Sequence, residues 1–159
     1  LENTYRTFMT KINPYQKTPC VGRCSTVYGD PICRGCKRFI NEVSFWNQLQ
    51  IEQKTAIWQR LERLADRIIP QFVEILDTDQ LQKFLEQHAI RYPAHLSPTS
   101  WALHCIENFP VEIQKISQAG MKLKVTEIGT TKELKLALQK AIYTLSLAEK
   151  ERHAQHGLI

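Results

Sequence analysis

KTPCVGRCSTVYGDPICRGCKRFI, residues 17–40, holds four of the chain's five cysteines, Cys20, Cys24, Cys33 and Cys36, in the pattern Cys-x3-Cys-x8-Cys-x2-Cys. Pro19, Gly22, Gly29, Pro31 and Gly35 punctuate the stretch, and it has no apolar periodicity from which a core could be built. Such a segment needs something besides its own side chains to fold, and a metal held by thiolates meets that need. Thiolates three positions apart converge when a tight turn points both sulfurs inward, and Gly35 permits the backbone such a turn requires. Gly22 gives similar freedom to the wider Cys20/Cys24 pair. Disulfides are the competing use of four cysteines, but a chain of this size needs no staples, and C-x-x-C pairs outside secreted proteins are more often metal-binding or redox-active.

The charge is concentrated on the same segment. Residues 1–40 contain Arg6, Lys11, Lys17, Arg23, Arg34, Lys37 and Arg38 against Glu2 and Asp30, whereas residues 41–159 balance fourteen basic with fourteen acidic side chains. The whole excess of +5 therefore surrounds the cysteines. A four-thiolate centre with a divalent core carries a charge of about −2, so these neighbours offset it.

Working outward, residues 1–16 read as a polar arm, irregular at Asn13-Pro14. Residues 17–69 form the metal-binding module, in which Asn41 caps a short helix with Val43, Phe45, Trp46 and Leu49. A second helix follows with Ile51, Ile57, Trp58, Leu61, Leu64 and Ile68 on its buried side, and the two roof the cysteine loop. A break at Pro70 opens a mixed unit over residues 70–159. Its apolar run Phe72–Leu76 fits either a strand or a helix end. Asp77 or Thr78 caps a helix with Leu81, Phe84, Leu85 and His88 on one face, and Ala89–Tyr92 reads as a short strand. Ser97-Pro98 starts the next helix, cap then proline, through Trp101, Leu103, Cys105 and Ile106. Residues 110–119 read as another helix stopped by Gly120. Met121–Ile128 alternates as a half-buried strand, and Thr130-Thr131-Lys132-Glu133 is a capping box for a long final helix to about Arg152. Together these predict an α+β or α/β protein.

The segment Pro19-Cys20-Val21-Gly22-Arg23-Cys24, then Cys33-Arg34-Gly35-Cys36-Lys37-Arg38, then Glu42-Val43 and Trp46, resembles the YdhL-type family of predicted iron-sulfur proteins. These are small bacterial proteins filed as a domain of unknown function. The resemblance spans residues 16–67, with every ligand position matched. Lys37 stands where that family commonly has Gly, and Val43 where it has Ile. The resemblance implies an iron-sulfur cofactor on Cys20, Cys24, Cys33 and Cys36.

Chemistry alone leaves a 4Fe-4S cluster and a zinc ion both open, since four thiolates suit either. The irregular first pair, with Tyr28, Phe39 and Trp46 available as shielding, favours the cluster. The basic knuckle and the short length favour zinc. The leading functional expectation is a small cytoplasmic iron-sulfur protein that transfers electrons or serves another protein as an accessory subunit. The alternative is a zinc-stabilised adaptor binding RNA or protein through Arg23, Arg34, Lys37 and Arg38 with Tyr15, Tyr28 and Phe39. An enzyme with its site in residues 70–159 is a third reading.

Other features add little. Cys105 and His104 are adjacent on a helix, about 100° apart, and cannot work as nucleophile and base, so Cys105 reads as a core residue. His88, His95 and His104 form a second metal site only if the fold gathers them, and His153 and His156 read as solvated. No phosphate loop, nucleophile elbow or paired-acid motif identifies an enzyme or a small-molecule substrate. No apolar run approaches the roughly 20 residues of a membrane span. Leu1–Lys17 lacks the apolar core of a secretory signal, so the expected location is cytoplasmic.

Overall fold

The computed structural model describes residues 12–108 and 112–155. Most of the expected polar arm, and also Pro110 and His156, lie outside the described residues. The helices are α1 (Ile40–Ser44), α2 (Ile51–Phe72), α3 (Thr78–Gln87), α4 (Pro98–Asn108) and α5 (Thr131–Gln155). Two short strands, β1 (Val73–Ile75) and β2 (Met121–Leu123), pair antiparallel with Glu74 opposite Lys122. This is an α+β architecture in which helices dominate; the parallel strands of an α/β sheet are not formed among the described residues.

Helix α2 organises the rest. Its apolar residues recur at helical spacing and bury Ile57, Trp58, Leu64, Ala65, Ile68 and Ile69. The break expected at Pro70 is corrected: the helix runs through that residue to Phe72, and Val73 N–H still bonds to Ile69 O. Proline removes one N–H and crowds the carbonyl four residues back, which costs most in a helix interior. Pro70 lies in the final turn and faces solvent, so the helix ends two residues later. The chain then enters β1 directly, resolving the ambiguous run as a strand with Val73 buried and Glu74 exposed.

Two other strand expectations need correction. Ala89–Tyr92 does not pair. Ala89 adopts φ +52, its N–H bonds to Glu86 O (3.2 Å), and Ile90 N–H reaches Leu85 O (2.9 Å), a Schellman-type cap that ends α3. Met121–Ile128 is extended and paired only over Met121–Leu123, because β1 emerges from α2 and offers only three residues. The segment expected to be an α-helix before Gly120 is 3-10 over Ile113–Ala119. Gly120 then turns at φ +69, with its carbonyl accepting from Leu76 and Asp77. The caps expected at Asp77 and at Thr130–Glu133 are present: Asp77 Oδ1 accepts from Gln80 N–H (2.9 Å), and Thr130 and Glu133 exchange side-chain to backbone bonds. The cap expected at Asn41 is corrected: α1 already starts at Ile40, so Asn41 lies inside it, and the N-cap position is Phe39, whose N–H bonds to Glu42 Oε2 (2.9 Å).

Two apolar clusters result. The larger joins Leu64, Ile68 and Ile69 of α2 to Val73, Leu81, Leu85, Ala102, Cys105, Met121, Leu134, Leu138 and Ile142. The smaller joins Trp46, Ile57, Trp58 and Leu96, with Tyr15, Leu49 and Leu61 packed against it. Helix α2 thus serves both, one with each half.

Candidate metal centre

The knuckle begins as a bridge between Ile32 and Phe39. Between them Cys33 N–H bonds to Arg38 O (2.9 Å) and Lys37 N–H to Cys33 O (2.8 Å), which closes the turn Cys33-Arg34-Gly35-Cys36. Lys37 completes it at φ +65, a left-handed conformation that favours glycine. Gly35 is required for a separate reason: a Cβ there would sit 2.2 Å from Arg23 O. The backbone that leads into Cys24 therefore rests directly on the knuckle, and Arg34 N–H bonding to Ser25 Oγ (2.8 Å) adds a second stitch.

This geometry sets the acidity of the sulfurs. Burial by itself raises the Cys33 thiol, but the N–H groups of Cys36, Ser25 and Gly35 and the Cys36 side chain outweigh it and bring Cys33 down to about 7. Burial pushes Cys36 up, and Arg38, whose Nε lies 3.2 Å from its sulfur, offsets only part of that. Cys20 Sγ accepts from Gly22 N–H (3.4 Å), and Cys24 Sγ lies 2.9 Å from Thr26 Oγ1. All five cysteines are free thiols.

Cys33 and Cys36 are brought together, and Cys24 is carried on a loop stitched to them. Among the described residues, however, no three His, Cys, Asp or Glu side chains converge into a group that could hold a metal ion. The expected four-cysteine set is therefore a preformed pair with two further thiols on an adjacent loop. As a donor set the thiols suit zinc or an iron-sulfur cluster, and the N–H groups turned on Cys33 stabilise a thiolate.

The loop sits among three helices, not only under the two that follow it. Lys37 Nζ is buried and bonds to Gly35 O (2.8 Å) and to both carboxylate oxygens of Glu107 on α4 (2.7 and 2.6 Å). Arg23 Nη2 donates to Asn108 Oδ1 (2.6 Å), and Arg34 stacks over Tyr143 of α5 (4.1 Å). Phe39 is 1% exposed, with the Arg60 guanidinium over its ring (3.9 Å) and the His153 ring edge-on at 5.8 Å. Arg60 is paired with Glu42, whose carboxylate also accepts from Phe39 N–H (2.9 Å). Burial raises the Glu42 carboxyl despite the Arg60 charge.

Several charges read as surface are therefore interior. Lys37, Arg38 and Phe39 are buried, which leaves Arg23, Arg34 and Tyr28 of that basic and aromatic set exposed, with Tyr15 half-buried. Sequence reasoning missed the Lys37–Glu107 pair; the one available signal was a lysine at the position where a knuckle favours glycine. Cys105 is fully buried, and burial pushes its thiol up to about 12, so it is inert. His88, His95 and His104 line one cavity, but among the described residues they do not converge into a group that could hold a metal ion. His95 packs against Tyr15 and Trp58, His88 lies on Phe84, and His153, half-buried, meets Phe39.

No helix among the described residues is long and apolar enough to cross a membrane. No curated protein and no solved structure matches this chain. Residues 18–65 match the model of a family described as a protein of unknown function (DUF1289), a span that begins two residues before Cys20 and ends within α2.

Proposed function

We propose that Cys20, Cys24, Cys33 and Cys36 together hold an iron-sulfur cluster, and that the protein transfers electrons or serves a partner protein as an accessory subunit. The observation that carries this is the Cys33–Cys36 turn, whose N–H groups are directed at a buried sulfur that they bring down to about 7. A buried cysteine without such donors, as Cys105 illustrates, is pushed the other way. A bound cluster supplies one-electron transfer. The chain supplies the thiolates, offsets their charge with Arg38 at Cys36, and screens the centre from water with Phe39 and Trp46. A four-iron core spans more space than one ion, so it demands less closure of the Cys20–Cys24 loop than zinc does.

Protein purified without oxygen tests the reading. Brown protein with broad visible absorption, containing iron and acid-labile sulfide, is expected; colourless protein with one zinc per chain contradicts the cluster. A second reading, a zinc-stabilised adaptor for single-stranded RNA, is favoured by the Val27–Tyr28 tip, where Tyr28 is 89% exposed next to the cysteine loop. It requires zinc, and RNA binding that is lost in Tyr28→Ala.

A further inference from the structure

A cavity of about 560 Å³ opens where residues 14–21 meet residues 88–95 and the end of α4. Its size falls in the range of small-molecule sites, roughly 300–1,000 Å³. The residues that give it chemical character are Lys17, Cys20, Trp58, Arg91, His95 and His104. No carboxylate among the described residues lines it. The charge on the described lining is therefore of one sign.

The two cations are available. Neither Lys17 nor Arg91 has a carboxylate partner among the described residues, whereas the buried Lys37 and Arg60 are both paired. Glu62 stands near His95, but it accepts Ser97 N–H (2.6 Å) and does not line the cavity. The aromatic wall is fixed in place. Trp58 Nε1 donates to Lys17 O (3.1 Å), and the His95 ring meets Trp58 edge-on at 4.7 Å and Tyr15 at 5.0 Å. His95 Nε2 is left with no hydrogen-bond partner among the described residues. A rigid aromatic wall facing unpaired cations suits a ligand with a flat apolar body and an anionic head.

We propose that this cavity binds a small aromatic anion, with its carboxylate or phosphate on Arg91 and Lys17 and its ring along Trp58 and His95. Because Cys20 lines the same cavity, an occupant would touch the loop that carries the first cysteine.

The test uses the full chain labelled with nitrogen-15 and three probes of one shape: 2-naphthoate, 2-naphthyl phosphate and the neutral 2-naphthamide. At least one anion should shift the amides of Lys17, Thr18, Cys20, Val21 and of Ile90, Arg91, Tyr92, Ala94 and His95 and bind about tenfold tighter than 2-naphthamide; the tighter anion identifies the preferred head group. Arg91→Gln, at an exposed position, should weaken that anion about tenfold and leave 2-naphthamide unchanged, with Lys17→Gln acting in the same direction. Equal binding of all three probes, shifts confined to other residues, or full affinity in both variants would overturn the proposal.

Discussion

At the residue scale, the knuckle depends on one missing side chain. Gly35→Ala places a methyl group against Arg23 O at a separation no Cβ tolerates, and that neighbour is backbone, so the Cys20–Cys24 loop must move off the turn. We expect a loss of about 2 kcal/mol in urea unfolding, together with reduced metal content. Unchanged stability and metal content would show that the loop does not rest there. The sequence identified Gly35 as a turn residue, but its contact with Arg23 joins positions twelve apart, which spacing does not show.

His104 gives a pH signature. Burial, with the nearby charge of Lys37, holds its imidazole down to about 4, against an ordinary value near 6.5. The folded state thus refuses a proton that the unfolded chain accepts. The stability contribution is full above pH 6.5 and is lost as pH falls from 6.5 toward 4, by about 3 kcal/mol at most. Urea midpoints measured across that window should fall less steeply in His104→Gln than in the parent chain. Parallel curves would place His104 in water.

At the scale of elements, the knuckle and α4 are joined by Lys37 and Glu107, both nearly buried. Glu107→Gln leaves the lysine charge buried and unpaired, so a destabilisation of about 3 kcal/mol is expected. Replacing both, as Lys37→Gly with Glu107→Leu, should recover most of it, because glycine also suits the left-handed turn. Thermal unfolding of the single and double variants checks this; equal losses in both would mean that the pair does not couple loop and helix. Local signals made other elements legible. Asp77 and the Thr130–Glu133 box mark helix starts because capping is a contact within four residues. The strand lengths were not legible, since pairing is set by the partner, and β1 offers β2 only three positions. Pro70 misled because its cost depends on how far the helix has left to run.

At the scale of the whole molecule, α2 links two apolar clusters, and this redraws where the chain would divide on metal loss. Its residues from Leu64 onward share a core with residues 73–142, while Trp58 and Ile57 join Trp46 and Leu96. We expect chelation to expose the amides of residues 17–49 to hydrogen exchange while those from Leu64 to Ile69 and in α5 stay protected. Uniform exposure would make the protein a single metal-dependent unit, and uniform protection would leave the fold independent of the metal. The candidate ligands were readable in the sequence because four cysteines in seventeen residues need no tertiary information. The burial of Lys37, Arg38 and Phe39 was not, because the helices α4 and α5 that cover the loop come from the far end of the chain.

Metal content across the cysteine variants bears most directly on the central claim that four thiols act as one site. Full-length protein purified without oxygen, with Cys20, Cys24, Cys33 and Cys36 each changed to Ser and Cys105 to Ala, would be assayed for iron, zinc and acid-labile sulfide. The account predicts about four iron and as much sulfide in the parent and in Cys105→Ala, with both lost or sharply reduced in each of the other four. Full metal content in Cys24→Ser or Cys33→Ser would contradict it.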